Sequence, residues 1–257
     1  LDRWFESDEL KAPMSCSGII GTYLGVHSPG TAYVLLHHYM GEIDGAFRSW
    51  GFSKGGTGGV SQACARAAES FGVEIRTEAP VHKVLIKSGR ATGVVLENGD
   101  ELDAKLVVSN CDPRVTYFDL VGEEHLDDHF AQRIERYKFR GSSGKVNFAV
   151  DRVPQFEGRK GTAHLRGDIA IAPSIDYLER AYDEAKYGDF SSRPYMDIII
   201  PSMIDPEMAP PGKHVMSIFV QYAPSDLRGG WDDQKREAFG DAVIDTLARY
   251  APNLPAA

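Results

Sequence analysis

The sequence has few cysteines and lacks any basic cluster, and these absences narrow the classes of protein to which it can belong. Its three cysteines are Cys16, Cys64 and Cys111, and their wide spacing leaves no CxxC pair for a zinc site or a redox motif. An odd count argues against a disulfide framework and favours an intracellular location, which could be cytoplasmic, mitochondrial or peripheral to a membrane. The 37 acidic residues outnumber the 28 basic ones, which argues against a nucleic-acid partner.

A long hydrophobic run is missing as well. Residues 12–41 contain no Asp, Glu, Lys or Arg, but prolines, histidines, glycines and serines interrupt them, so no apolar run long enough for a transmembrane helix remains. The two apolar segments at 19–26 and 32–40 predict two buried helices joined by a turn. This charge-free stretch is interpreted either as ordinary core or as the wall of a cavity for an apolar substrate.

A complete dinucleotide-binding fingerprint is also absent. The loop Gly-Gly-Thr-Gly-Gly at 55–59 precedes a helix, but the third glycine position of the fingerprint falls on Ser61 and no buried strand precedes the loop. Two hypotheses remain open: a tight turn that lets the helix pack closely, or a loop beside a cofactor bound mainly by other residues. The pair His125 and His129 has a spacing that could serve a metal, but the acidic residues around it favour a solvated face, and no metal site is predicted.

The periodicity of the remaining sequence predicts an α+β protein, in which a β-meander precedes a mixed β-sheet flanked by helices. Asn98-Gly99 marks a hairpin, and Asp112-Pro113 and Asp232 mark helix starts. The predicted strands are 73–77, 81–87, 91–97, 102–109, 145–150, 196–200 and 215–222. The predicted helices after the glycine loop are 60–71, 113–120, 125–137, 174–186 and 232–250.

Several motifs occur in an order that resembles phytoene desaturase-type FAD-dependent oxidoreductases. The longest is GGTGGVSQACARAAESFGVEIRTEAPVHKVLIKSGRATGVVLENGDELDAKLVVSNCDP, and WFESDELKA, SPGTAYVLLHHYMG, VNFAVDRVPQF and IPSMIDPEMAPPGKHVMSIFVQYAP accompany it. The resemblance covers nearly the whole chain and implies the substrate domain of the flavin amine oxidase fold, without the Rossmann βαβ. It implies three segments: 1–58 as a helical, charge-poor part of the substrate domain, 59–113 as a helix and meander that abut the FAD-binding domain, and 114–257 as the mixed-sheet part.

The same resemblance implies an FAD-dependent dehydrogenase or desaturase acting on an apolar substrate of polyene or lipid type. It places Val81 against the adenine through its backbone, Ser109 and Asn110 at a strand end that approaches the FAD-binding domain, and Gly55 and Gly56 near the flavin side of the cavity. Because the phosphate-binding glycine turns of the family are missing, this chain alone is not expected to hold FAD.

Polar groups for the cavity, and with them any catalytic role, are predicted at His37, His38 and Tyr222. The predicted partners are an apolar small-molecule substrate and the FAD-binding domain of the same protein, which the chain is interpreted as lacking. Peripheral membrane contact and self-association remain open. Two alternative functions also remain open: a non-catalytic module that binds a hydrophobic ligand or a protein, and a flavin-dependent isomerase.

Overall fold

The computed structural model describes residues 1–47 and 51–254 of the chain. Its helices are α1 (Asp8–Ile19), α2 (Thr31–His38), α3 (Gly56–Ser70), α4 (Asp128–Glu135), α5 (Ile175–Lys186) and α6 (Asp233–Ala248). Its strands are β1 (Glu42–Ile43), β2 (Ala46–Phe47), β3 (Val81–Lys87), β4 (Arg90–Leu96), β5 (Glu101–Asp103), β6 (Ser143–Val150), β7 (Ile169–Ile171), β8 (Tyr195–Ile199) and β9 (His214–Gln221). The predicted α+β class is confirmed.

The chain forms two compact units. Unit 1 consists of Leu1–Ala63 and Arg140–Ala257, and unit 2 consists of Cys64–Phe139. The unit boundaries differ from the segment boundaries predicted after residues 58 and 113, because the helical segments that follow residue 113 group with the meander. The three predicted segments remain a prediction about the organisation of the family.

Unit 1 is built on a four-stranded sheet with the order β6-β9-β8-β7. All three pairings are antiparallel, so in this detail the sheet differs from the mixed sheet that was predicted. The two faces of the sheet have different coverings because side chains alternate along each strand. Residues such as Met196, Ile198 and Ile218 point to one face and are fully buried there against Phe239 and Val243 of α6.

A second apolar cluster in unit 1 joins α1 and α5. Its fully buried members include Ala12 and Ile19 of α1, Leu178 of α5, and Tyr222, which follows β9. Burying a large apolar side chain of this kind contributes about 1.5–3 kcal/mol before its entropy cost is counted. This cluster fixes α1 next to the sheet and so helps to position the candidate site.

Two predictions for the charge-free stretch were wrong. The first helix ends at Ile19 instead of beginning there, because its first turn uses Asp8 and Glu9 at the positive end of the helix dipole, outside the uncharged stretch. The second helix is found where it was predicted, as α2. It was predicted to be buried, however, and none of the α2 residues is buried. The chain between α1 and α2 forms turns, and Gly21 and Gly30 in this segment have positive φ angles.

Unit 2 contains the predicted meander, with the antiparallel order β3-β4-β5. The side chain of Asn98 accepts a hydrogen bond from the Asp100 amide at 3.0 Å, which closes the predicted hairpin turn. The strand predicted at 73–77 was wrong, since these residues are exposed and no described strand pairs with them, and β5 is shorter than predicted.

Aspartate side chains cap two helix starts in unit 2, of which the Asp112 cap was predicted and the Asp127 cap was not. The Asp112 carboxylate accepts hydrogen bonds from the amides of Arg114 and Val115, ahead of a π-helical segment at Val115–Val121. The next helix, α4, begins later than predicted because Asp127 caps it by accepting from the Phe130 amide at 3.0 Å. Caps therefore set these two helix starts more reliably than hydrophobic spacing did.

Candidate functional site

Unit 1 contains a cavity of about 1550 Å³ over the face of the sheet that α6 leaves open. Helix α1 contributes Pro13 and Cys16 to its walls, Ile20 follows directly after this helix, and further walls come from residues 51–58 and 201–208. Its apolar lining includes Phe52, Ile199 and Phe219. A cavity of this size with mostly apolar walls can hold a long apolar molecule.

The floor of the cavity is the odd-numbered face of β6, β9 and β8. Strand register places Lys145 opposite Phe219 and Phe219 opposite Asp197, so these three side chains form one row across the sheet. The neighbouring row begins with Asn147 opposite Ser217, and the Ser217 hydroxyl donates to the Asn147 side-chain oxygen at 2.7 Å. Each of these two rows on the cavity floor therefore contains polar side chains.

Two carboxyl groups lie side by side at one end of this floor. Loss of contact with bulk water, followed by the hydrogen bond and charge of Asp197, raises the pKa of Asp168 to about 8, although Asp168 remains open to the cavity. The Tyr195 hydroxyl donates to Asp197 at 3.1 Å. Near pH 7 Asp168 is therefore mostly protonated.

Helix α1 covers the carboxyl pair with the thiol of Cys16. This side chain is 5% exposed, and its Sγ contacts the Ala12 carbonyl oxygen at 3.4 Å. Burial raises the pKa of the Cys16 thiol to about 12 and also raises that of Tyr195. Neither group ionises at neutral pH.

His38 lines the cavity from the end of α2. Its Nδ1 lies 2.7 Å from the Ser17 carbonyl oxygen and 3.0 Å from that of Val34. Because both partners are acceptors, Nδ1 carries a proton and the ring orientation is fixed. The predicted placement of one of the two neighbouring histidines on the cavity is found in the structure, whereas its catalytic role stays a prediction.

The glycine loop forms a wall of the cavity, as Gly55 and Gly56 both line it. The Asp205 carboxylate accepts a hydrogen bond from the Gly55 amide at 2.9 Å. Gly55 and Gly56 both have positive φ, and a Cβ atom at Gly55 would meet no other atom within 4 Å. The loop therefore presents open backbone that another molecule could approach closely.

Two of the predicted cavity residues lie elsewhere. His37 is exposed and stacks on Tyr33, with 6.4 Å between the ring centres. Tyr222 is fully buried in the cluster of α1 and α5, where its hydroxyl donates to the Leu24 carbonyl oxygen at 2.6 Å. Tyr222 therefore does not line the cavity. Its buried hydroxyl group is satisfied within the protein by this carbonyl oxygen, as buried polar groups usually are.

The other predicted cofactor contacts lie in unit 2. Val81 begins the edge strand β3, so one side of its backbone faces away from the sheet. Ser109 is exposed, and its hydroxyl is 2.8 Å from that of Thr116, while Asn110 is exposed beside it. Their roles toward FAD stay predictions.

Sequence reasoning missed the acid pair. Asp197 was visible as the one charged residue inside the apolar strand at 195–200, and this was the available signal. Its partner Asp168 immediately precedes β7, a strand that was not predicted, so sequence alone could not bring the two together. Among the described residues no group of His, Cys, Asp and Glu side chains could hold a metal ion.

The described part of the chain contains no helix that combines the length and the apolar character needed to cross a bilayer.

Comparison with known proteins accounts for the whole chain. The sequence profile of the family described as flavin containing amine oxidoreductase matches residues 1–257. Pyridine nucleotide-disulfide oxidoreductase domain-containing protein 2 of Rattus norvegicus is 40% identical over 262 residues, which cover 98% of this chain and 45% of the rat protein.

Carotenoid enzymes are more distant relatives. Prolycopene isomerase 2 of an Oncidium hybrid is 27% identical over 90% of this chain and 36% of its own length. Phytoene desaturase of Fusarium fujikuroi is 30% identical over 77% of this chain and 32% of its own length. The resemblance to phytoene desaturase-type enzymes is thus confirmed, and the chain spans less than half the length of these relatives.

A solved structure shows the same fold. The crystal structure of an oxidoreductase from Methanosarcina mazei superposes with a TM-score of 0.65 at 21% identity, covering 95% of this chain and 50% of that protein.

Proposed function

Because the chain belongs to the family of flavin-containing amine oxidoreductases, we propose that the protein is an FAD-dependent oxidoreductase whose apolar substrate binds in the cavity of unit 1. The substrate would be of polyene or lipid type. The observation that carries this proposal is the cavity itself: mostly apolar walls enclose a floor with a few fixed polar groups, as in sites for small apolar ligands.

The residues on the cavity are suited to a role beside a cofactor. FAD, when bound, accepts a hydride equivalent from the substrate, so the protein mainly has to orient the substrate and exclude water. The open backbone at Gly55 and Gly56 would lie near the flavin, and Asp205 would hold that loop in place. In unit 2, the free edge of β3 would offer the Val81 backbone to the adenine.

Further apolar surface in unit 2 supports the proposed FAD-binding partner domain. Phe71, Leu106 and Val108 are 87%, 76% and 83% exposed, which is unusual for large apolar side chains grouped on one small unit. We infer that the FAD-binding domain of the same protein covers them. Val108→Asp should then reduce the flavin retained per protein, whereas Lys105→Asp, at a neighbouring exposed position, should not.

The first test uses the product of the complete reading frame, purified gently and examined by visible absorption. The expected result is a flavin spectrum, with or without added FAD, that is bleached anaerobically by an apolar alkene substrate. A protein with no flavin bands even after FAD is added would contradict the proposal. It would point instead to the non-catalytic module that binds a hydrophobic ligand.

A flavin-dependent isomerase is the second candidate, favoured by the similarity to prolycopene isomerases. The two functions differ in their electron balance. A dehydrogenase or desaturase leaves reduced flavin and needs an electron acceptor for each turnover, whereas an isomerase returns the flavin to its starting state. Product formation that exceeds the added acceptor would therefore identify the isomerase.

A further inference from the structure

The two faces of the unit 1 sheet differ in chemistry. On the face covered by α6, β8 and β9 present mainly apolar side chains, among them Met196, Met216 and Val220, and His214 at the start of β9 is the polar exception. On the cavity face the same two strands present Asp197 and Ser217. A cavity for a pure hydrocarbon gains nothing from these groups, because burying polar groups without partners costs free energy.

The acid pair is the part of the floor with unused hydrogen-bonding capacity. Asp197 accepts one hydrogen bond from Tyr195, and Asp168, whose pKa is raised, lies beside it as a donor. The four carboxyl oxygens have more lone pairs than these two donors can occupy. The Asp168 residue is open to the cavity, so a ligand can reach the pair.

The charge of the pair decides which ligand group fits. A carboxylate or phosphate would place a negative charge against two acidic side chains, and a hydrocarbon would leave their oxygens unsatisfied. A hydroxyl group can donate a hydrogen bond to a carboxyl oxygen and accept one from the protonated Asp168. It therefore matches both halves of the pair without adding charge.

The opposite end of the row carries a positive charge. Lys145 lies across Phe219 from Asp197, which places it two strands or about 10 Å away. Within the described ranges the Lys145 ammonium has no ion-pair partner. A ligand carboxylate would bind at this end. Binding of a carboxylate at Lys145 is therefore the alternative to binding of a hydroxyl group at the acid pair.

Building on the proposed function, we propose that the molecule bound in the unit 1 cavity is an apolar chain bearing a hydroxyl group, and that Asp168 and Asp197 bind this hydroxyl. The apolar walls at Phe52, Ile199 and Phe219 would then hold the rest of the chain. The two acidic residues would determine substrate specificity by selecting an alcohol over the matching hydrocarbon.

The test measures binding without requiring flavin chemistry. The product of the complete reading frame is titrated with three fluorescent conjugated tetraenes of equal length, ending in a hydroxyl, a methyl or a carboxylate group. The hydroxyl probe is expected to bind about tenfold more tightly than the hydrocarbon, as one hydrogen bond to a charged group provides. Asp168→Leu should remove this preference and leave hydrocarbon binding unchanged.

Two further variants keep the result interpretable. Asp168→Asn preserves the side-chain shape and some hydrogen bonding, so it should keep part of the preference for the hydroxyl probe. It replaces Asp168→Leu in the test if the leucine variant does not fold. Asp241→Asn removes a negative charge from the exposed face of α6, where none of the described side chains pairs with it, and should change nothing.

The outcomes separate this proposal from the proposed function. Equal binding of the hydroxyl and methyl probes, or a preference that persists in Asp168→Leu, would overturn the hydroxyl site and leave the apolar cavity intact. A preference for the carboxylate probe that Lys145→Met abolishes would also overturn it. If no probe binds at all, the cavity is not a substrate site, and the proposed function fails with it.

Discussion

The buried side-chain amide of Gln221 accepts a hydrogen bond from the Gly21 backbone amide at 2.9 Å. Its nitrogen also donates to the carbonyl oxygens of Ile19 and Thr22 at 3.2 and 2.9 Å. One side chain at the end of β9 thus satisfies three backbone groups just after α1. This contact ties the helix that covers the acid pair to the central strand of the sheet.

We expect Gln221→Leu to destabilise unit 1, because it leaves buried backbone groups without partners. The loss should be about 3 kcal/mol in the free energy of unfolding, given the cost of unsatisfied buried polar groups. Urea denaturation monitored by circular dichroism measures it. Gln234→Leu, at an exposed position of α6, is the matched control and should be close to neutral. Equal midpoints for the two variants would contradict the role assigned to Gln221.

Adjacent glycines near the start of α3 should respond oppositely to alanine. A Cβ atom at Gly59 would lie 2.4 Å from the Lys54 carbonyl oxygen, whereas one at Gly58 would meet nothing within 4 Å. Gly59→Ala should therefore destabilise the protein and disturb the glycine loop. Gly58→Ala should stabilise it by up to about 1 kcal/mol, the helix-propensity difference between these residues. Thermal unfolding of both variants checks the opposite signs, and a shift of the same sign would refute the expectation.

The three cysteines should differ sharply in reactivity. Cys64 and Cys111 are exposed, whereas Cys16 is buried and its pKa is raised to about 12. A thiol reagent at neutral pH should label the first two rapidly in the native protein and Cys16 only after unfolding, since the thiolate is the reacting form. Mass spectrometry of the labelled peptides identifies the sites. Rapid labelling of Cys16 in the native protein would show that this thiol is not buried.

Stability should fall as the pH rises from about 4 to about 8, owing to Asp168. Its pKa is raised from 3.8 to about 8 in the folded chain. In that interval the folded state holds a proton that the unfolded state has lost, so the free energy of unfolding decreases with increasing pH. The neighbouring ionisable groups are Asp197, Tyr195 and Cys16, and the last two stay neutral throughout.

The measurement is the difference in urea midpoint between pH 5 and pH 8. Asp168→Asn should show a smaller decrease than the unmodified protein, while Asp241→Asn should retain the full decrease. An unchanged pH dependence in Asp168→Asn would mean that Asp168 does not hold the proton.

Helix capping at Asp232 gives a further expectation. Its carboxylate accepts a hydrogen bond from the Lys235 amide at 2.8 Å and begins α6, which covers one face of the sheet. Asp232→Ala should cost about 1 kcal/mol, the usual contribution of such a cap. Asp241→Ala, within the same helix, should not lower the thermal midpoint.

Elements with strong local signals were predictable from sequence. The strand at 81–87, the helix at 174–186 and the cap at Asp232 all appear as predicted, to within a residue, because alternation, helical spacing and capping act over a few residues. The strand at 73–77 failed although its alternation was good. A strand also needs a partner, and none of the described strands pairs with it.

The candidate site was less predictable because it is assembled from distant parts of the sequence. The glycine loop and His38 were recognised as cavity residues from motif and resemblance. Asp168 immediately precedes β7 and Asp197 lies on β8, and only the register between these two strands brings them together. The prediction for Tyr222 was wrong because the sequence does not show on which side of the sheet a residue just after β9 places its ring.

The strand order described for unit 1 has a consequence for how the chain folds. The strand β9 sits between β6 and β8, yet it is the last of the four strands to be synthesised. The sheet therefore cannot close until residue 221 has left the ribosome, whereas unit 2 is one continuous stretch whose strands pair with their neighbours. Non-local pairing of this kind slows folding. During synthesis β6 therefore has no strand partner until β9 emerges, so unit 1 completes its sheet later than unit 2 completes its meander.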